Sequence, residues 1–166
     1  MTNNTALKIE KNLSKISIRP LEENDAKTSF EWRNRTKIWK YTVAKPQENP
    51  TLEDEIEWIK KVLAKENDYR FAIMVGENYV GNTYLTDVND HSAKAHIFIG
   101  DPHFGGSEVA FLASTLIHKF GKETLKLKTL EVEVHKDNLS VIKLCTKMGY
   151  EKTVSKGEKI YMAVKL

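Results

Sequence analysis

The sequence predicts a single domain of the mixed α/β (α+β) class, and three observations support this prediction. The 166 residues are 40% hydrophobic and 30% charged, with a net charge of only +3, which suits a folded chain with one core. Several short segments alternate apolar and polar residues, as half-buried strands do. Other segments repeat apolar residues every three or four positions, as amphipathic helices do. We expect residues 16–166 to form this domain and residues 1–15 to be an N-terminal tail or extra element.

The first part of the chain predicts one strand followed by two helices. Ile16–Pro20 alternates in polarity and ends at a proline, which indicates a strand. Residues 24–34 are helix-prone and begin with Asn-Asp, residue types that cap helices. A loop is expected over Pro46–Pro50. Thr51 and Asp54 have the spacing of a capping box, and the helix that they open has its apolar residues at Leu52, Ile56, Ile59 and Leu63.

Three further strands and a long helix follow. Arg70–Val75 and Tyr79–Thr86 flank the turn Gly76–Asn78, which predicts a hairpin. Ala93–Gly100 is the next apolar run and predicts a fourth strand. The helix after it has one apolar stripe, formed by Val109, Leu112, Ala113, Leu116, Ile117 and Phe120.

The last part of the chain predicts a strand, a short helix and a closing hairpin. Apolar and polar residues alternate over Leu130–His135, which indicates the fifth strand. A short apolar stripe over Val141–Met148 predicts a helix that Gly149 ends. Residues 150–166 form the hairpin, with its turn around Lys156–Glu158. The predicted order is therefore β, α, α, β, β, β, α, β, α, β, β, with about six to seven strands and four helices.

Composition narrows the class of protein. Cys145 is the one cysteine, so a disulfide within the chain is excluded and a cysteine zinc site is not expected. No apolar run approaches the roughly 20 residues of a membrane span, and we expect a cytoplasmic protein with no membrane partner. The basic excess is small and forms no stripe, so we expect no nucleic-acid partner.

One junction between a strand and a helix points to chemistry. Residues 97–110 run from the fourth strand through a pair of glycines directly into the long amphipathic helix. Such a junction presents free backbone N–H groups at the positive end of a helix dipole, where a pyrophosphate can bind. The alternative is a tight turn in which the glycines serve geometry only.

This junction resembles motif A of the GNAT N-acetyltransferases, in which a strand ending in Asp-Pro leads into Gln/Arg-x-x-Gly-x-Gly/Ala. His135–Tyr150 resembles motif B of the same family, with Asn138 at the asparagine of that motif. Ser17–Leu21 is similar to the usual opening strand. Glu31–Asn34 is frequent in the ribosomal-protein and amino-sugar branches. The resemblance covers residues 16 to about 153.

The resemblance implies a GNAT fold and a binding mode for acetyl-CoA as co-substrate, with no metal. A mixed, mostly antiparallel sheet would be flanked by the helices and splayed between strands 4 and 5. The pantetheine arm would lie in that gap and bond to Asn138. The residues implied to hold the co-substrate are Phe98, Ile99 and Gly100 on the strand, and Gly105, Gly106, Ser107, Glu108, Val109 and Ala110 at the helix start.

The implied reaction is direct attack of a primary amine on the thioester. Glu133 and His96 are the candidate catalytic residues, because each could take the proton of the amine. The alternatives are an outward charge for Glu133 and a structural hydrogen bond for His96. Cys145 stands where the family has a tyrosine that is often the acid, and its alternative is a small buried hydrophobe.

The resemblance also implies an acceptor side that contains Trp32, Arg33 and Asn34. Tyr84 is an aromatic residue that could line the acceptor pocket, whereas Trp58 is expected in the core. The acceptor would be a small-molecule or peptide amine, namely a protein α-amino group or a nucleotide-linked amino sugar. The chain would be a monomer or a homodimer. The alternative function is a non-catalytic binding or regulatory module of the same fold with a degenerate CoA loop. It is suggested by Glu108, which replaces a family glycine, and by Cys145.

Overall fold

The computed structural model describes residues 15–41 and 49–166. The predicted tail, apart from residue 15, and most of the predicted loop over residues 46–50 lie outside the described residues. The elements are β1 (Ile16–Pro20), α1 (Ala26–Arg33), α2 (Leu52–Leu63), β2 (Tyr69–Val75), β3 (Asn78–Thr86), β4 (Ser92–Ile99), α3 (Ser107–Lys119), β5 (Thr129–His135), α4 (Leu139–Lys147), β6 (Glu151–Lys156) and β7 (Lys159–Lys165). Their order is the predicted one.

Within the described part of the chain, the seven strands form one sheet in the order β1-β2-β3-β4-β5-β7-β6. Every neighbouring pair is antiparallel except β4 and β5, which are parallel. That pair is joined only where Ser92–Lys94 faces Thr129–Glu131. Beyond Lys94 the two strands separate, so the rest of β4 has no partner on that edge. The mixed, mostly antiparallel sheet and its splay are therefore confirmed.

The two faces of the sheet have different cores. On one face, the buried residues of α3 and α4 pack against β4, β5 and β7, as Ile117, Cys145 and Leu130 show. Val109 and Ala113 of α3 extend this packing towards β2 and β3. On the other face, Ala26 of α1 and Ile59 of α2 pack on Ala72 of β2. The splay between β4 and β5 therefore connects two sides of the molecule that carry different helices.

The helix starts are built in three ways. Thr51 caps α2 with the predicted capping box, since its backbone N–H donates to Asp54 at 2.8 Å and its hydroxyl accepts from the Asp54 N–H at 3.2 Å. Asn138 caps α4 through its side-chain oxygen. Gly106 precedes α3 with φ 122° and supplies no side-chain cap. The first backbone N–H groups of α3 are thus not bonded by a capping side chain.

Candidate active site

A cleft of about 680 Å³ passes through the gap between β4 and β5. One half is lined by α3 and α4, and the other by α1, α2 and the segment around Trp39. Among the sequence-predicted site residues, those that line it are Trp32, Arg33, Tyr84, His96, Phe98, Glu133 and Asn138. The cleft is therefore continuous between the two faces of the sheet.

The half of the cleft towards α3 and α4 is mostly apolar. Ile117, Val141, Leu144 and Met148 line it, together with the buried Ser114. The unpaired edge of β4 borders this half and exposes backbone N–H and C=O groups to an extended ligand. Asn138 reaches it from the start of α4, where its oxygen accepts from the Val141 N–H at 3.4 Å. The geometry suits a narrow, extended chain with amide groups.

The start of α3 follows the open end of β4 after a short connection that contains a 3-10 turn at Pro102–Phe104. A side-chain carbon at Gly106 would meet nothing within 4 Å, so its positive φ rather than crowding favours glycine there. Glu108 is exposed and forms no ion pair with a described residue, whereas Val109 is buried in the core. Residues 34, 99, 100, 105, 106 and 108–110 do not line the cleft itself. Asn34 is exposed, and its side chain donates to the carbonyl of Phe30 at 3.3 Å.

The half of the cleft towards α1 has aromatic walls. The indole of Trp32 covers Gly100 so closely that any side-chain carbon at this glycine would overlap the ring. Trp39 stacks on Phe98 with centroids 4.7 Å apart, and its indole N–H donates to the Trp32 carbonyl at 3.0 Å. Trp58 packs against the α2 core, as the sequence suggests, but also lines the cleft. This half therefore presents flat apolar faces.

Glu133 and His96 lie on the same face of the sheet, on opposite sides of the splay. Strand alternation places them away from Val132 and Ala95, which pack against the α3 and α4 core. His96 stacks on Tyr84 at 4.5 Å, and its Nε2 is 2.8 Å from the Thr86 hydroxyl. Burial, and next the charge of Arg70, lower the pKa of His96 to about 4. Its imidazole is therefore neutral at pH 7.

Glu133 forms an ion pair with Lys159 at 2.7 Å, and its side chain is 27% exposed. The carboxylate raises the pKa of Lys159, chiefly through this hydrogen bond. Because Glu133 is partly exposed and borders the aromatic half of the cleft, it can reach an incoming group directly or through water. It is thus placed to accept a proton there.

A partly buried polar pair that sequence reasoning did not single out lies in the apolar half. His118 of α3 and the hydroxyl of Tyr150 are 2.8 Å apart, and both residues line the cleft beside Cys145. Burial lowers the pKa of His118 to about 4 and raises that of Cys145 to about 11. A thiol this reluctant to ionise fits the small-hydrophobe interpretation of Cys145. The only sequence signal for the pair is that His118 adjoins the apolar stripe of α3.

Comparison with known proteins gives two related sequences. An uncharacterised protein of Methanocaldococcus jannaschii is 26% identical over 144 residues, which are 84% of this chain but only 29% of that protein. Spermidine N(1)-acetyltransferase of Escherichia coli is 24% identical over 136 residues, covering 81% of this chain and 72% of the relative. This chain thus spans less than a third of the archaeal relative.

Solved structures share the fold. Spermidine N-acetyltransferase from Vibrio cholerae, in complex with CoA and spermine, superposes with a TM-score of 0.79 at 20% identity, covering 92% of this chain and 96% of that one. FdhC, described as a nucleotide-linked sugar GNAT, gives a TM-score of 0.76 at 25% identity, covering 90% and 86%. A family model described as an acetyltransferase (GNAT) domain matches residues 15–151. Since that match spans most of the sequence, the chain belongs to the GNAT acetyltransferase family.

Proposed function

We propose that this chain transfers an acetyl group from acetyl-CoA to a primary amine. The observation that carries the proposal is the single cleft that runs through the splayed pair β4 and β5. It joins an apolar half, bordered by a free strand edge, to an aromatic half that contains Glu133 and His96. A donor entering from one face and an acceptor from the other would meet at the gap.

The donor side suits an acyl-CoA. The free N–H groups at the start of α3 and its helix dipole favour a pyrophosphate at the open end of β4. The unpaired β4 edge and the Asn138 amide offer hydrogen bonds to a pantetheine arm. The Glu108 side chain is exposed and pairs with no described residue, so it can point to solvent and leave the start of α3 open. The relative from Vibrio cholerae was solved with CoA bound.

In the aromatic half, we assign removal of the amine proton to Glu133 and orientation of the amine to His96. The amine nitrogen would form a bond to the thioester carbonyl carbon, the carbon–sulfur bond would break, and the thiolate would take a proton from water. Glu133 takes the proton of the attacking amine, directly or through water. His96 is neutral, held by Thr86 and Tyr84, and serves to orient the amine rather than to carry charge.

We propose a nucleotide-linked amino sugar as the acceptor in preference to a protein α-amino group. The aromatic half is walled by Trp32, Trp39 and Trp58 and suits a small amine with flat apolar surfaces. FdhC, a nucleotide-linked sugar GNAT, supports the same choice. Spermidine, the substrate named for the Escherichia coli relative, is the competing small amine. Cytoplasmic residence and a monomeric or homodimeric state remain predictions.

The experiment measures CoA release with a thiol reagent, using acetyl-CoA and a panel of nucleotide-linked amino sugars, peptides and spermidine. We expect Glu133→Gln to lower kcat by about 10²- to 10⁴-fold. Glu131→Gln is the matched control, because Glu131 is an exposed carboxylate on the same strand face, at the closed part of the β4–β5 pair. Absence of CoA binding by calorimetry at millimolar ligand, together with no thiol release from any amine, would refute the proposal.

A further inference from the structure

Arg33 occupies an unusual position in the aromatic half of the cleft. Its guanidinium carbon lies 4.0 Å from the ring centroid of Trp58 and 4.9 Å from that of Trp39. The side chain is only 14% exposed, yet it lines the cleft. Two indole rings therefore fix the plane of a charged group that faces the acceptor half.

Within the described residues, one edge of this guanidinium is bonded. The Nε–H donates to Glu55 at 3.0 Å, and the other oxygen of Glu55 accepts from the Ser29 hydroxyl at 2.6 Å. Among residues 15–41 and 49–166, no acceptor bonds the two terminal nitrogens. Arg19 differs, because both of its terminal nitrogens donate to Asp25, at 2.8 and 2.7 Å. The outer fork of Arg33 is thus held in place and still has donors to offer.

The neighbouring carboxylates that line the cleft are already engaged. Asp87 pairs with Lys94 at 3.1 Å. Glu133 pairs with Lys159, and Asp54 accepts from the backbone of Thr51 in the α2 capping box. Lys94, the other strong cation of the lining, is the partner of Asp87. Among the described lining residues, Arg33 therefore differs from Lys94 in presenting a planar fork that the indole rings hold in one plane, whereas an ammonium has no such fork.

We infer that the outer fork of Arg33 binds an anionic group of the acceptor, at a point distinct from the amine. The fork of a guanidinium matches the paired oxygens of a phosphate or a carboxylate. The acceptor would then be an amine that also carries such an anion, and the pyrophosphate of a nucleotide-linked amino sugar supplies one. This inference rests on the proposed acetyl transfer and adds Arg33 as a residue that selects the acceptor.

The test compares amine acceptors that carry an anionic group with acceptors that lack one. Initial rates are measured with a nucleotide-linked amino sugar, the free amino sugar, an amino acid amide and its free acid, and spermidine. Uridine diphosphate serves as a competitive probe. We expect Arg33→Gln to raise KM for the phosphate-bearing acceptor about 10- to 100-fold and to weaken inhibition by the diphosphate. The KM for the free amino sugar and the affinity for CoA should not change.

Two further variants keep the result interpretable. Arg33→Lys retains a charge beside Glu55 but lacks the fork, so it should also raise KM for the anionic acceptor even where Arg33→Gln is unstable. Arg35→Gln is the control, since Arg35 is exposed and does not line the cleft.

A larger effect with the free acid than with the diphosphate would identify a carboxylate as the anion. Normal transfer with equal effects on charged and neutral acceptors, or a preference for spermidine, would overturn the inference. Loss of transfer to every amine by the unaltered protein would instead overturn the proposed function.

Discussion

Gly100 shapes the acceptor half of the cleft because it has no side chain, which lets the Trp32 indole pack directly on it. It is buried beneath Trp32, whose ring also lies 4.8 Å from Tyr79 and 5.9 Å from Phe98. In Gly100→Ala the new methyl group would overlap the indole, so the ring or the end of β4 must move. We expect a loss of about 1–3 kcal/mol in the free energy of unfolding and a raised KM for the acceptor. Urea denaturation and initial-rate kinetics measure the two effects.

Gly105→Ala is the matched control for the stability measurement. The carbon added there would meet only the Pro102 carbonyl oxygen, at 3.5 Å, and the backbone φ of −61° suits alanine. Its free energy of unfolding should stay within about 0.5 kcal/mol of the starting value. If Gly100→Ala lowers the free energy of unfolding no more than Gly105→Ala does, the crowding by Trp32 is relieved at little cost in free energy.

The residue patterns predicted which residues of a strand share a face, but not which of the two faces borders a ligand. Alternation places Glu133 on the opposite strand face from Val132 and Val134, and this placement follows from the local sequence alone. Which face carries the acceptor depends on where α1 packs, which is decided by contacts such as Trp32 on Gly100 across many residues of sequence. For the same reason, spacing alone predicts Trp58 to be a core residue, although it also borders the cleft.

At the scale of elements, the start of α3 combines a helix dipole with an exposed carboxylate. Glu108 lies in the first turn of α3, where a negative charge stabilises the helix but repels a pyrophosphate. Glu108→Gln should therefore increase the affinity for CoA about 2- to 5-fold at low salt, as expected for a change of about 0.3–1 kcal/mol. Calorimetry at low and high ionic strength measures this gain, which salt should remove.

Glu53→Gln is the control for the dipole effect alone. Glu53 is an exposed acid in the first turn of α2, where no cofactor loop lies. Its neutralisation should cost helix stability to a similar extent but leave CoA affinity unchanged. A gain of tenfold or more from Glu108→Gln would instead indicate that the native loop is poorly suited to CoA.

The order of elements was predictable because each has a local signal. The capping box at Thr51 and the turn at Gly157, with φ 59°, are encoded within a few residues. The π-helical turn at Phe120–Thr124 was not predicted, since it depends on how the end of α3 meets the core around Leu127. Strand β6 is exposed at all its residues and shows no alternation, so only the hairpin turn indicated it.

For the whole molecule, two half-buried neutral histidines connect stability to pH. Burial is the main cause that lowers the pKa of His96 and of His118 to about 4, against 6.5 for an unperturbed histidine. Around His96, Arg70 and Lys94 lower this pKa further, while Asp68 and Asp87 oppose them. The unfolded chain thus gains protons below pH 6.5 that the folded chain does not. Stability is full above about pH 6.5 and falls as the pH drops towards 4.

The prediction is a decline in the free energy of unfolding between pH 7.5 and 5, before most carboxylates titrate. Each histidine contributes at most about 1.4 kcal/mol per pH unit to this slope. His118→Gln can still hydrogen-bond Tyr150 but cannot protonate, so the slope measured by urea denaturation should fall to about half. His91→Gln, at an exposed side chain, should leave it unaltered. If His118→Gln and His91→Gln behave alike, His118 gains its proton in the folded state as readily as in the unfolded one, and its pair with Tyr150 does not set the acid limit of the fold.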